Sequence, residues 1–301
     1  MTSYTATQQR LQIRDMMTTL RAFITLTKPG IQIMLIFTAY CAMVVADKRL
    51  PSIKLTIFTL VGLVCATGGS AVINMWFDRD IDAVMSRTKA RPLPMGLLSP
   101  RTALIFGLVL VAFSFTLLAI SVNLLSALFA LAGVFYYAVI YTMWLKRTTV
   151  HNTVIGGGAG AFPPLIGWAA VTGHMELAPL LMFAIIFFWQ PPHFWALALY
   201  KNMDYVKAKI PMMPAVRGAR YTKIQSLIYA TLLIMSTVAL YLTGTVGIVY
   251  FVVSTIFGLV FLGYNIRLFF EPDNQSTWAK KTFLSSLMYL PVVFLAMCIP
   301  F

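Results

Sequence analysis

Apolar stretches of membrane length, joined by short polar connections, dominate the pattern along the chain. The charge-free blocks are 29–46, 55–77, 102–145, 148–175, 177–200, 224–266 and 282–301. A helix needs about 20 apolar residues to cross the hydrocarbon core, so 102–145 and 224–266 must each fold back as a hairpin. Ser121-Val122-Asn123 and Thr243-Gly244-Thr245 are the turns expected within them. The pattern therefore predicts nine spans, at 23–46, 55–77, 102–120, 124–145, 150–171, 178–199, 221–242, 246–269 and 282–301. In lipid each backbone polar group must be satisfied inside its own element, and no segment alternates like a membrane strand. The expected fold is all-α: a polytopic membrane protein of about nine transmembrane helices around a central cavity. Residues 1–22 are expected to form an N-terminal tail, and 23–301 a single domain.

Composition agrees: 59% of residues are hydrophobic and 11% charged, against roughly a quarter charged in soluble domains. A net charge of +14 would suggest nucleic acid in a soluble protein, but its distribution argues otherwise. Of 23 Lys and Arg, all except Lys48, Arg49 and Lys54 fall on the N-terminus or in the loops after even-numbered spans. By the positive-inside rule that face is cytoplasmic, and the N-terminus with it. The expected site is a bacterial inner membrane, in preference to the mitochondrial inner membrane, and nucleic acid is not an expected partner. Cys41, Cys65 and Cys298 lie in predicted spans without CxxC spacing, which fits packing rather than a disulfide framework. The first 22 residues have no secretory h-region.

Chemistry gathers at the mouth of the second span. In "NMWFDRDID", residues 74–82, Asn74, Asp78 and Asp82 recur every four residues. On a helix this spacing lines them along one face about 6 Å apart. Three of the nine acids in the chain fall in this stretch. Carboxylates so placed repel unless a cation neutralises them, and hard oxygen ligands suit Mg²⁺ held jointly with substrate phosphates. The alternative is a solvated helix end with Arg79 pairing an acid. The basic run that follows, Arg87, Lys89 and Arg91 in "SRTKARPLP", turns the balance toward a diphosphate clamp. A second loop on the same side, "YKNMDYVKAKIPMMP", offers Asp204 between Lys201, Lys207 and Lys209, and "YTMWLKR" places Tyr141 and Lys146 at the same end.

"NMWFDRDIDAVMSRTKARPLP" resembles the first signature of the UbiA-type intramembrane prenyltransferases, N-x-x-x-D-x-x-x-D followed by R-T-x-x-R-P-L. Three further stretches resemble the protohaem IX farnesyltransferase branch: "HNTVIGGGAGAFPPLIGWAAVTG", "FFWQPPHFWALAL" and "DYVKAKIPMMP". The resemblance implies transfer of farnesyl from farnesyl diphosphate to a vinyl group of haem B, with water added. It implies Mg²⁺ on Asn74, Asp78, Asp82 and Asp204. Arg87, Lys89, Arg91, Tyr141, Lys146, Lys201 and Lys207 become diphosphate contacts. Tyr136, Tyr137, Tyr141 and Trp144 are candidates to stabilise an allylic cation through their ring faces. His193, with His151 and Asn152, becomes the candidate haem contact. Haem B is then a substrate, and a downstream haem-modifying enzyme or oxidase assembly a partner beside the bilayer.

His193 also has a reading from the chain itself. It follows Pro191 and Pro192 inside the sixth span, where a broken helix and a buried imidazole would face a cavity. The "GGGAG" at 156–160 lies within a span, so it reads as close helix approach and not as a nucleotide loop. Two rival functions stand against this reading. A quinone-ring prenyltransferase should carry a second D-x-x-x-D, but position 208 is Ala. A secondary transporter would place its coupling charges near the midplane, whereas these acids sit at one mouth.

Overall fold

A computed structural model describes residues 16–200, 211–273 and 275–299. Among these residues there is no strand, and the helices are α1 (16–26), α2 (Pro29–Asp47), α3 (Ile53–Phe77), α4 (Arg79–Val84), α5 (Pro100–Ser121), α6 (Leu124–Thr148), α7 (Asn152–Thr172), α8 (Leu177–Tyr200), α9 (Met213–Leu242), α10 (Ile248–Phe270) and α11 (Thr277–Met297). Nine of them, all but α1 and α4, are long and apolar enough to cross a membrane. The chain is a multi-pass membrane protein. Large apolar side chains stand exposed along the outer faces, such as Ile105, Leu108, Val109, Phe113 and Ile120 on α5, an arrangement that suits lipid rather than water.

Each helix packs on its neighbours around a closed circuit, from α2 to α3, α5, α6, α7, α8, α9, α10, α11 and back to α2. One apolar core joins Cys41, Trp168, Met182, Leu233, Phe261 and Phe294 across α2 and α7 to α11; a second joins Ala39, Leu63, Leu118, Ala127 and Ile166 across α2, α3, α5, α6 and α7. The helices approach closely because small residues line the crossings. At Gly167 a Cβ would stand 2.2 Å from the Ala39 carbonyl oxygen, so α2 and α7 touch backbone to backbone there.

Four local departures from the sequence reading matter. The first span was expected to begin at 23, but the chain turns at Lys28, in the left-handed region (φ 52°), and α2 starts at Pro29. A residue before proline is pushed away from helical geometry. Residues 16–22, expected as tail, belong to α1, which ends just before this turn. Within α6 the ladder widens to a π-helical stretch, Tyr136–Leu145, and such stretches frequently mark functional sites. The last departure reverses an expectation: α8 runs unbroken through Pro191 and Pro192. Each proline loses its own N–H bond and crowds the carbonyl one turn back, yet its fixed φ is helical and both residues are buried within the continuous helix. Irregularity falls instead in α7, as in α6: a 3₁₀ segment at Gly158–Ala161 lies between the two α-helical parts of α7.

Candidate active site

The acid face forms where α3 ends. Asp78 N–H donates to the Asn74 carbonyl at 2.9 Å, and Asp82 N–H to the Asp78 carbonyl at 2.8 Å. The four-residue bonding pattern thus survives the junction of α3 and α4, and Asn74, Asp78 and Asp82 keep one face as their spacing predicts. All three are buried. Asn74 Nδ2 donates to Asp78 Oδ2 at 2.8 Å and to Thr142 Oγ1, on the π-helical stretch, at 2.9 Å.

Bases from three distant parts of the chain converge on this face. Lys146 donates to Asp78 Oδ2. Arg147 lies 3.6 Å from Asp78 Oδ1 and forks onto Asp80 at 2.8 Å to each oxygen, which holds the Asp80 carboxyl below its usual pKa. Arg91 Nη1 reaches both oxygens of Asp82, at 2.8 and 2.7 Å. Lys28 Nζ donates to Asn74 Oδ1 at 2.7 Å and to the Tyr137 hydroxyl at 3.1 Å. Burial and the charge of Arg91 pull the Lys28 ammonium down to about 7, against the opposing pull of Asp78 and Asp82. Arg79 takes no part: it donates to the Trp76 carbonyl at 2.7 Å and covers the Trp76 ring.

Arg91 and Lys146 were expected on a diphosphate and are found on the carboxylates. Arg87 and Lys89 lie exposed on the same segment, and Arg87 is near enough to act electrostatically on Lys28. Tyr137 and Tyr141 stack with centroids 5.7 Å apart. The Tyr141 ring is seated on Gly156, where a Cβ would stand 2.2 Å from Cδ2. Gln190 occupies the neighbouring places over Gly157 and Gly160, so the glycine run makes room for side chains of facing helices. Tyr136 packs against Phe162 at 5.9 Å. Trp144 does not join the group; it is 63% exposed on the outside of the bundle.

Lys201, Asp204 and Lys207 lie outside the described residues. The flanks of that loop are described: Ala198 and Met212 pack with Met85 and Ile81, beside α4. Asn152 donates to the Thr149 and Pro211 carbonyls at 2.7 and 3.1 Å, and its Oδ1 accepts from Thr153. Those bonds tie the start of α7 to the segment entering α9. His151 is exposed just before α7. His193 is buried between α8 and α11, with Nδ1 2.6 Å from Ser286 Oγ and Trp189 stacked on its ring. Sequence reasoning missed Lys28, Thr142 and Arg147 as site residues. The Lys28-Pro29-Gly30 run is a helix-breaking signal that could have pointed to Lys28; nothing in the sequence pairs Thr142 or Arg147 with residues nearly 70 positions away.

The residues present fit a hard divalent cation. Asp78 is fully buried, and its Oδ1 accepts no hydrogen bond. Its nearest positive group, the Arg147 guanidinium, stands 3.6 Å off without a hydrogen bond, so the oxygen keeps its lone pairs for a cation that comes closer. Asn74 Oδ1 and Asp82 supply further oxygen donors on the same face.

Comparison with known proteins speaks to the chain as a whole. The UbiA prenyltransferase family model matches residues 35–287. A protein named protoheme IX farnesyltransferase from Symbiobacterium thermophilum is 52% identical, covering 92% of this chain and 93% of its own length. One of the same name from Rickettsia bellii is 45% identical, covering 92% of each. Among solved structures, one from work on a digeranylgeranylglyceryl phosphate synthase superposes with a TM-score of 0.80 at 17% identity, over 94% of this chain and 98% of that one. A UbiA homologue from Archaeoglobus fulgidus bound to DMAPP and Mg²⁺ gives 0.65 at 16%, over 92% and 99%. At such identities the structures speak for the fold, while the family match and the curated relatives speak for kinship. The chain belongs to the UbiA prenyltransferase family.

Proposed function

We propose that the chain transfers a farnesyl group from farnesyl diphosphate to a vinyl side chain of haem B, with addition of water, to give haem O. Two things support it: its relatives' shared name and reach, and a buried pair of carboxylates, Asp78 and Asp82, each already matched by a base. The second is the observation that carries the chemistry.

In this reading Asn74, Asp78 and Asp82 would hold Mg²⁺, with Asp204 added from the second loop. The ion supplies charge neutralisation at the diphosphate as it leaves. Relieved of the carboxylates, Arg91 and Lys146 turn to the phosphate oxygens, joined by Arg87, Lys89, Lys201 and Lys207. Arg91 suits this exchange because its fork fits carboxylate and phosphate equally. The farnesyl C1–O bond breaks, and its electron pair leaves with the diphosphate. Tyr137 and Tyr141 present ring faces that can stabilise an electron-poor carbon without bonding to it. The vinyl π-pair of the porphyrin then bonds to C1. The cation left on the side chain takes up water and releases a proton.

The basic face carrying this site is assigned to the cytoplasm and the membrane to a bacterial inner membrane, on the distribution of Lys and Arg. The product would pass to a haem-modifying enzyme or an oxidase under assembly. The test is mass analysis of the product formed by the purified protein from farnesyl diphosphate and Mg²⁺, with haem B and an aromatic quinone precursor both offered as acceptors. Haem gaining one farnesyl group and one hydroxyl group is the expected result. Farnesylation of an aromatic quinone precursor, with haem untouched, would overturn the reading.

A further inference from the structure

His193 and Ser286 form a short polar chain between α8 and α11. Ser286 is fully buried, and its hydroxyl lies 2.5 Å from the Phe283 carbonyl of its own helix. A carbonyl can only accept, so the single hydroxyl proton goes there. Ser286 Oγ is left with lone pairs toward His193 Nδ1, 2.6 Å away. Nδ1 therefore carries the ring proton and donates it to Ser286. In a neutral imidazole the other nitrogen then has none, so Nε2 holds an unshared pair. Nε2 has no hydrogen-bond partner among the described residues, and the residue keeps 9% of its surface open. Trp189 and Phe283 pack on the ring at centroid distances of 4.6 and 4.8 Å, tilted by 21° and 33°. Trp189 is itself tied to α11, its Nε1 donating to the Ser286 carbonyl at 3.0 Å. The ring is thus clamped by its faces, with Phe194 edge-on at 5.2 Å, and fixed at one edge by Ser286, while Nε2 makes no hydrogen bond among the described residues.

This is how a metal-ligating histidine is built: one nitrogen donates to a protein group, which fixes tautomer and orientation, and the other meets the metal. A histidine serving only to join two helices needs no such tautomer; either ring nitrogen could meet a hydroxyl. We propose that Ser286 is a positioning residue that holds His193 with its proton on Nδ1 and presents the Nε2 lone pair to the iron of a bound haem. The inference rests on the proposed haem substrate. It gives the porphyrin a fixed point, through its iron, from which a vinyl group can be aimed at the farnesyl carbon.

The test is titration of the purified protein with ferric haem B, followed by absorbance and electron paramagnetic resonance. Wild type should show an axial nitrogen ligand. His193→Gly should lose that signature, and added imidazole should restore it. Ser286→Ala should weaken haem binding by roughly 10- to 100-fold, the usual cost of removing such a partner. It leaves the Trp189 bond to the Ser286 backbone in place, and unchanged affinity for a non-reactive farnesyl diphosphate analogue checks that the fold is intact. The proposal falls if His193→Gly keeps the ligand signature, or if Ser286→Ala binds haem with wild-type affinity and spectrum. Wild-type turnover separates the two layers. If wild type farnesylates haem B while His193→Gly keeps its signature, only the ligation inference is lost. If wild type does not farnesylate haem B, the functional reading itself is lost.

Discussion

Lys146 donates a hydrogen bond to the buried carboxylate of Asp78, across 68 positions of sequence. The pair joins the end of α3 to the end of the π-helical stretch of α6. Asp78 has no exposure at all, so its charge depends on this hydrogen-bonded partner, with Arg147 3.6 Å from its other oxygen. Stripping one member from a buried pair costs about 3–5 kcal/mol, because the other charge is left uncompensated. Lys146→Met is therefore expected to lower the unfolding midpoint in detergent markedly, and Asp78→Asn combined with it to recover much of the loss. Additive effects in the double-mutant cycle would mean that the two side chains do not depend on each other.

The Tyr141 ring lies where Gly156 leaves space. Any side chain there meets the ring at 2.2 Å, and the neighbouring Tyr137 and Lys28 shift with it. Gly156→Ala is expected to lower turnover by roughly tenfold or more, since misplacement of about 1 Å in a site can cost ~10²-fold. Gly263→Ala, on α10 with open space around its Cα, is the control and should be neutral. Equal activity of the two variants would show that the ring does not position substrate.

Much of this architecture was legible in the sequence. Each span is bounded by charge or turn residues, and the spacing of Asn74, Asp78 and Asp82 placed them on one face without any tertiary knowledge. Irregularities inside the spans were harder to read. Pro191-Pro192 suggested a break that packing prevents, while the departure from α-geometry in α6 has no breaker residue to announce it. Trp144 faces outward because a π-helical ladder rotates side chains differently from the α-helical one assumed for it. The partners of the acids were half legible. Charge named the candidates Arg91 and Lys146 for a diphosphate, but only folding shows that the carboxylates hold them. Arg147 and Lys28 looked like ordinary topological charge, and their contacts with Asp78, Asp80 and Asn74 are products of helix packing alone.

The connection before α5 and the first turns of α9, both assigned to the active side, should be reached from one side of the membrane. Single cysteines at Ser99 and at Ala219, in a background lacking Cys41, Cys65 and Cys298, are expected to react with an impermeant thiol reagent from the cytoplasmic side only. Labelling of the two from opposite sides would separate Asp204 from the 74–82 face and dissolve the shared site.

The carboxylate at position 78 is the centre of the account, and Asp78→Asn removes its charge with little change of shape. The direct measurement is turnover of this variant in saturating Mg²⁺, farnesyl diphosphate and haem B, with haem affinity determined in parallel. A drop of ~10²-fold or more is predicted, since the carboxylate's contribution at the departing diphosphate is lost, with haem binding retained as the check that the fold survives loss of the Lys146 pair. Full activity in magnesium would contradict the assignment of the 74/78/82 face to the diphosphate.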